Sequence, residues 1–301
     1  EVTQNEDGSY TAPISLLNNV TYTENGDYVY IISEVNDGQR GITYDTTKYR
    51  VTVHVDGGNV TTGIESTTDE AITGDTEWTE AEAIVFNNSY TTSLNYNTAG
   101  GLSIIKNLKG HDIAADQFGF TVKAADDASR EKAGFKEMSQ NYATSASRMN
   151  GNGVSTDSMS VFGDIAFTQA DAGKTYTYTI SETTGGNTDA GYTNDTRTYT
   201  VEITTADDGK GSLTVTTQVT SDQGDEATYT YSNKAGTDQP AVVTFDNTYE
   251  ASGGIGGEGQ VSIIAKKELA NSTLNGDDFT FTITDEAGKE VASGTNDASG
   301  T

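Results

Sequence analysis

Hydrophobic and polar residues alternate along most of the chain, in short stretches separated by Gly, Asp and Asn. The stretches 49–55, 176–182 and 213–219 are clear examples. Side chains two residues apart share a face of a strand, so this alternation predicts half-buried strands. Many such strands with turn residues between them predict an all-β chain of tandem antiparallel β-sandwich modules of immunoglobulin-like type.

One stretch departs from this alternation. Between Ser129 and Met149, the residues Phe135, Met138 and Tyr142 recur at spacings of three and four. This spacing predicts a short helix with one face on a sheet. The stretch is rich in Ser and contains Gly134, so a long, partly ordered loop is an open alternative.

Several segments occur twice in the same order, which indicates an internal repeat. Residues 28–34 resemble 176–182, 45–51 resemble 195–201, 85–90 resemble 244–249, and 103–120 resemble 262–281. The order predicts the late half of a module in 1–92, a complete module in 98–250 and the early half of another in 258–301. We call these the first, middle and third units. Gly-rich stretches at 99–101 and 252–257 are predicted as linkers between them.

Composition narrows the classes of function. The 301 residues contain 17 Lys and Arg against 45 Asp and Glu, a formal charge of −28, with no Cys. This charge predicts no binding to nucleic acid or anionic membranes. The absence of Cys excludes disulfides and zinc–thiolate sites, and no apolar run is long enough for membrane insertion. The chain opens at Glu1 without a signal peptide, so we expect a piece of a longer protein.

Metal, cofactor and external-substrate chemistry have weak support. His54 and His111 have no partner at ligand spacing, so no metal site is predicted. Acidic stretches such as 206–209 fit solvated turns better than a calcium loop. No Ser-His-Asp set or nucleotide-binding motif occurs, so we expect no cofactor. Trp78 either packs on the sheet of the first unit or belongs to a glycan-contacting surface.

Three predicted strands of the middle unit each carry one polar residue on an apolar face. Lys106 lies among Ile104 and Leu108, Glu182 follows Tyr178 and Ile180, and Asn247 follows Phe245. All three side chains are therefore predicted to point inward. The matching positions are Glu34 and Asn88 in the first unit and Lys267 in the third. Strand parity selects Lys267 over Lys266.

Burial of such groups changes their chemistry. Desolvation lowers the pKa of a lysine and raises that of a glutamic acid. A neutral Lys106 amine can attack the Asn247 side-chain carbonyl, with Glu182 moving protons and ammonia leaving. The product is an isopeptide bond. An ordinary rim ion pair between Lys106 and Glu182 beside a hydrogen-bonded Asn247 predicts the same pattern, so both interpretations remain open on these residues alone.

An ordered set of motifs adds a family resemblance. The motifs are Lys-x-Leu-x-Gly at 106–110, Phe-x-Phe at 118–120, Tyr-x-Tyr-x-Ile-x-Glu at 176–182, Asn-Asp-Thr-x-x-Tyr-x-Val at 194–201 and Phe-x-Asn-x-Tyr at 245–249. The set resembles the streptococcal-type pilin isopeptide linkage domains, found in major pilins and adhesin stalks of Gram-positive bacteria. The resemblance covers 98–250 completely and 10–92 and 258–301 in part.

The resemblance implies one intramolecular bond, between Lys106 and Asn247, with Glu182 assisting. Glu34 matches the catalytic position in the first unit. No strand with a lysine that matches Lys106, which we call a lysine strand, precedes it there. Asn88 and Lys267 match crosslink positions of incomplete copies. The order of the half units raises a further hypothesis, in which Lys267 of one chain meets Asn88 of the next.

The implied function is that of a structural stalk or pilus-backbone module, extracellular and anchored to the cell wall of a Gram-positive bacterium. Its partners would be neighbouring repeats of the same surface protein. The chain would crosslink itself once and would not be an enzyme. The alternative is an adhesin domain that binds a host protein or a glycan.

Overall fold

The computed structural model describes residues 1–185, 191–233, 240–251 and 265–298. The predicted linker at 252–257 and the start of the third unit lie outside the described residues. The strands up to the middle unit are β1 (Thr3–Gln4), β2 (Tyr10–Thr11), β3 (Gly26–Ser33), β4 (Ile42–Thr43), β5 (Lys48–Asp56), β6 (Asn59–Thr67), β7 (Thr79–Glu80), β8 (Ser89–Tyr90) and β9 (Ser93–Asn95), followed by the helical turn α1 (Tyr96–Ala99).

The middle unit contains most of the regular structure. Its strands are β10 (Leu102–Lys109), β11 (Gly119–Ala124), β12 (Ser139–Ala143), β13 (Val154–Ser160), β14 (Ala166–Thr168), β15 (Thr175–Thr184), β16 (Tyr192–Thr193), β17 (Thr198–Asp207), β18 (Leu213–Ser221), β19 (Glu226–Ser232) and β20 (Ala241–Tyr249). Helix α2 spans Asp127–Ala133, and a 3₁₀ turn spans Gln169–Asp171. The third unit contributes β21 (Thr280–Thr284) and β22 (Glu290–Thr295).

Two sheets of the middle unit face each other. One has the order β13-β10-β20-β16 and the other β12-β11-β15-β17-β18-β19. The prediction of an all-β sandwich is confirmed. Strand pairs within these sheets are antiparallel except β10 and β20, which run parallel. The first and last strands of the unit are therefore direct neighbours, which the sequence pattern did not predict.

Aromatic side chains join the two sheets. The Phe245 ring on β20 lies 5.2 Å from the rings of both Phe120 and Tyr199 on the opposite sheet. Alternate residues of β10, including Ile104 and Leu108, are completely buried against them. Each large apolar side chain that is fully buried stabilises the fold by about 1.5–3 kcal/mol, so this core holds the sandwich closed.

The predicted helix over 129–149 is wrong beyond residue 133. Helix α2 begins where the Asp126 carboxylate accepts a hydrogen bond of 2.7 Å from the Ser129 N–H. It ends at Gly134, whose left-handed φ of 70° closes the helix. The following residues pair with β11 as β12, because an edge of the larger sheet was open to them. Within the described ranges, the helices are too short and polar to cross a membrane.

The first and third units have only parts of a sandwich in the described ranges. The first contains the sheet β3-β5-β6-β7, on which Val51, Val53 and Val55 are buried, and the short pair β4-β8. The third contains the hairpin β21-β22, whose residues are exposed. A sheet needs a second layer to bury its apolar face, so these units lack full cores. Trp78 packs on the first sheet, 4.6 Å from the Arg50 guanidinium.

The first and middle units meet in a packed junction. Strand β9 pairs with β14, and Tyr96 is completely buried in the middle core. The Tyr90 hydroxyl donates to Asp207 Oδ1 at 2.6 Å and accepts from the Gly211 N–H at 3.0 Å. Arg40 donates to the carbonyl oxygen of Asn233 at 2.5 Å. These contacts bind the two units along the stretch that connects them.

Gly110, which directly follows strand β10, provides a test of this architecture. Its φ is +92°, and a Cβ there would collide with the backbone carbonyl of Tyr249. We expect Gly110→Ala to lower the free energy of unfolding by about 2–4 kcal/mol in urea titrations. Gly151→Ala is the control, because open space surrounds Gly151. It should change the free energy by less than about 1 kcal/mol. Equal effects would contradict the described packing.

Candidate functional site

The sandwich brings Lys106, Glu182 and Asn247 to one point of its core. Lys106 on β10 is in register with Phe245 on β20, and Leu108 with Asn247. Lys106 and Asn247 therefore share a face of neighbouring strands, two residues apart along the strand direction. Glu182 lies on β15 in the opposite sheet, where it is in register with Phe120 on the neighbouring strand β11. From there it reaches the Lys106 and Asn247 side chains across the core.

One carboxyl group contacts both nitrogen atoms of the site. Glu182 Oε2 lies 2.7 Å from Lys106 Nζ. The Asn247 amide nitrogen donates to Glu182 Oε1 at 2.8 Å. The Lys106 and Glu182 side chains are 0% and 4% exposed, and Asn247 is 1% exposed. The carboxyl group thus connects an amine and an amide in a space closed to water.

The surroundings favour uncharged groups. Burial lowers the pKa of Lys106, against the hydrogen bond and charge of Glu182, which raise it. Burial likewise raises the pKa of Glu182, against the opposing effect of Lys106. The Phe118 ring lies 4.6 Å from Lys106 Nζ and closes one side of the site. Both shifts reduce the energy difference between the ion pair and the neutral amine with a neutral acid.

Asp195 orients the Asn247 amide. Its backbone N–H donates to Asn247 Oδ1 at 2.7 Å, which turns the amide nitrogen towards Glu182. Burial alone would raise the pKa of the Asp195 carboxyl group, but hydrogen bonds from Arg197 and from backbone amides lower it overall. This ionised side chain accepts from the Asp246 N–H at 2.8 Å and so ties its loop to β20.

Sequence reasoning missed Asp195 as a site residue. The available signal was its recurrence as Asp45 in the first unit, at the start of a repeated segment. Each aspartate accepts from the N–H two residues further on, at 2.9 Å in Asp195 and 2.8 Å in Asp45. Such turns hold the backbone in a fixed shape, which positions the N–H that faces the amide.

The first unit repeats this arrangement without a lysine. Asn88 donates to Glu34 Oε1 at 2.7 Å, and the Asp45 N–H donates to Asn88 Oδ1 at 2.8 Å. Glu34 Oε2 corresponds to the oxygen that meets Lys106 in the middle unit. It is buried and finds no hydrogen-bond partner among the described residues. Asn88, unlike Asn247, is exposed.

The third unit repeats the lysine. Lys267 Nζ lies 4.5 Å from the Phe279 ring, as Lys106 Nζ does from Phe118. Lys266 instead pairs with Glu268 at 2.9 Å, and both of these side chains are largely exposed. The structure therefore gives Lys267 the same aromatic neighbour as Lys106.

A second lysine of the middle unit provides a contrast. Lys132 Nζ lies 2.7 Å from Asp171 Oδ1, which also accepts from the Tyr176 hydroxyl at 2.6 Å. Burial alone would raise the pKa of Asp171, but the hydrogen bonds from Lys132 and Tyr176 lower it overall. This site therefore holds an ordinary ion pair.

Across the described ranges, no cluster of three or more acidic or His side chains is arranged to hold a metal ion.

One family model covers most of the chain. The family model of FctA, described as a Spy0128-like isopeptide containing domain, matches residues 1–91 and 102–250. A solved structure of the major pilin protein T-13 from Streptococcus pyogenes is 21% identical, with 82% of this chain and 76% of that chain covered and a TM-score of 0.27. No curated protein matches the chain. Because the family model covers most of the sequence, the chain belongs to the family of Spy0128-like isopeptide containing domains.

Proposed function

We propose that this chain is a stalk segment of a Gram-positive surface protein or pilus, outside the cell and attached to the cell wall, and that its middle unit crosslinks itself through Lys106 and Asn247. The observation that carries the proposal is the Glu182 carboxyl group, which contacts both nitrogen atoms that the reaction exchanges. Neighbouring units of the same protein are its partners. The chain has no Cys and therefore no disulfide, and an isopeptide bond would stabilise its fold even under reducing conditions.

The reaction begins with one proton transfer. The proton moves from Lys106 Nζ to Glu182 over the 2.7 Å contact, which leaves a neutral amine and a neutral acid. The amine then attacks Cγ of Asn247. Negative charge develops on Asn247 Oδ1, where the Asp195 N–H already donates at 2.7 Å. A fixed donor in a dry site stabilises such charge strongly.

Loss of ammonia completes the reaction. Glu182 gives its proton to the Asn247 amide nitrogen through the Oε1 contact of 2.8 Å, and the Cγ–Nδ2 bond breaks. Glu182 then takes the remaining excess proton from Lys106 Nζ and can pass it on. The products are one amide between Lys106 Nζ and Asn247 Cγ and one molecule of ammonia. The site is consumed, so the chain reacts once and does not turn over an external substrate.

The position of the bond suits a load-bearing module. Tension enters the unit at β10 and leaves it at β20, which are parallel neighbours. A bond between them carries the load directly and bypasses roughly 140 residues of chain. Closing a loop of this size also stabilises the fold by up to about 5 kcal/mol on the chain-entropy scale.

Intact mass provides the first test. We expect the folded chain to be lighter than its sequence by one ammonia molecule. Lys106→Ala and Asn247→Ala should each restore the full mass, because each removes a reacting atom. Glu182→Gln should slow bond formation by about 10²–10⁴-fold. Lys132→Ala is the matched control and should keep the loss, since Lys132 faces an ionised Asp171. A full-mass wild-type chain would contradict the proposal.

The pH dependence of stability provides a second test. Glu182→Gln removes the hydrogen bond and the charge that most oppose the effect of burial, and only the charges of Asp195 and Asp246 still oppose it. The Lys106 pKa therefore falls further below its ordinary value of about 10.4. Between the lowered pKa of Lys106 in the folded state and its ordinary pKa in the unfolded state, the unfolded state binds more protons, so stability rises with pH. We expect a slope of up to about 1.4 kcal/mol per pH unit in urea titrations at alkaline pH. Adding Lys106→Met should remove the slope, and a slope that persists would contradict this assignment.

Single-molecule stretching provides a third test. In Lys106→Ala, unfolding of the middle unit should release about 140 residues, or about 480 Å at about 3.4 Å per residue. In the wild-type and Lys132→Ala chains this release should be absent, because the bond carries the load. A release of that length from the wild-type chain would show that the two strands are not linked.

A further inference from the structure

The Asn247 amide nitrogen, which the proposed crosslinking expels as ammonia, donates two hydrogen bonds. One goes to Glu182 Oε1 at 2.8 Å and the other to Asn194 Oδ1 at 3.2 Å. An amide nitrogen carries two hydrogens, so both of them have an acceptor. The Asp195 N–H holds the amide oxygen at 2.7 Å. Asn194 takes no part in the proton transfers of the proposed reaction, so those steps do not explain its contact with the departing atom.

Strand pairing places Asn194 beside this nitrogen. Strand β16 is antiparallel to β20, with Thr193 opposite Thr248. The next position in the same register sets Asn194 opposite Asn247. Because Asn194 and Asp195 are consecutive, one loop contacts both ends of the reacting amide. The Asn194 side chain contacts its nitrogen, and the Asp195 backbone contacts its oxygen.

The first unit shows that the loop keeps its shape without an asparagine at this position. Its repeated segment has Tyr44 where the middle unit has Asn194. The Asp45 N–H nevertheless donates to Asn88 Oδ1 at 2.8 Å. The Tyr44 hydroxyl is directed to Asp37 instead. The position of the backbone donor therefore does not depend on the Asn194 side chain, whose contact is with the reacting nitrogen itself.

From these contacts we infer that Asn194 is a further catalytic residue of the crosslinking, which holds the departing nitrogen while Glu182 protonates it. The inference rests on the proposed function, since it concerns the same bond. In a planar amide the nitrogen lone pair is shared with the carbonyl group and is a poor proton acceptor. Attack by Lys106 ends this sharing, and the lone pair must then face Glu182 Oε1. Asn194 Oδ1 keeps one hydrogen in place while the other turns away from Glu182.

The covalent step balances without any proton from Asn194. The bond between Lys106 Nζ and Asn247 Cγ forms, and Glu182 gives its proton to Asn247 Nδ2. The Cγ–Nδ2 bond breaks, and its electron pair leaves with the nitrogen as ammonia. A side-chain amide oxygen accepts a hydrogen bond but has no proton to give, so Asn194 does not compete with Glu182 as the acid. Asn194 therefore affects the rate of the reaction and leaves its products unchanged.

The test follows the rate at which the full chain loses ammonia. The chain is made by cell-free translation, synthesis is stopped, and samples are denatured at intervals for intact-mass measurement. We expect Asn194→Leu, which is similar in size but has no acceptor, to lose ammonia about 5–100-fold more slowly than the wild type. Its final mass should be the same, because the reacting groups remain.

Asn107→Leu is the matched control for this change. Asn107 directly follows Lys106 on β10, so its side chain lies on the opposite face of the strand. There its amide nitrogen donates to Asp246 Oδ1 at 2.8 Å. The same substitution at this position should keep the wild-type rate, because it leaves the Asn247 amide untouched.

Two further measurements separate catalysis from folding. Asn194→Asp has the same shape and keeps an acceptor oxygen, so it should restore most of the wild-type rate. Asn194→Leu chains that still have their full mass should already resist protease, which would show that they fold before they react. Equal slowing in Asn194→Asp and Asn194→Leu, or full-mass Asn194→Leu chains that protease degrades, would assign the residue to folding and overturn the inference.

The remaining outcomes distinguish this inference from the proposed function. Equal rates of ammonia loss in the wild-type and Asn194→Leu chains would overturn the inference and leave the proposed function intact. A wild-type chain that keeps its full mass would overturn both.

Discussion

The amine of Lys106 and the carboxyl group of Glu182 are shut away from water between two sheets, and this constraint underlies the rest of the site. Each isolated charge in such a place costs several kcal/mol. The ion pair at 2.7 Å recovers part of that cost, while a neutral amine beside a neutral acid avoids it. Burial therefore brings a reactive protonation state, a neutral amine beside a neutral acid, within reach.

The first unit shows what the lysine strand contributes. The Glu34–Asn88 contact of 2.7 Å and the Asp45 N–H contact of 2.8 Å form there without any lysine. The loop and the carboxylate are thus sufficient to orient the amide. The lysine strand adds the closed environment, because Asn88 is exposed whereas Asn247 is 1% exposed. Orientation of the amide and exclusion of water therefore depend on different parts of the module.

The pair of Lys132 and Asp171 shows that a short contact between opposite charges is not enough for reaction. Its lysine and carboxylate are as close as those of Lys106 and Glu182. Hydrogen bonds from Lys132 and Tyr176 keep Asp171 ionised, and this pair fixes helix α2 to the 3₁₀ turn. The two sites differ in which protonation state the surroundings stabilise. At Glu182 burial outweighs the hydrogen bonds, and at Asp171 the hydrogen bonds outweigh burial.

The sequence alone determined the all-β class, the repeated segments and the inward direction of Lys106, Glu182 and Asn247, because alternation along a strand decides which face a side chain occupies. Only the tertiary structure decided that β10 and β20 are parallel neighbours and that Glu182 reaches them from the opposite sheet. Strand pairing depends on contacts between distant residues, which no local pattern contains. Helix α2 stops at 133 because Gly134 closes it, and the residues from Ser139 onwards pair with an open strand edge, which outweighs their helical spacing. The role of the Asp195 N–H was missed because the recurrence of this residue as Asp45 does not by itself show that its backbone donor faces the amide.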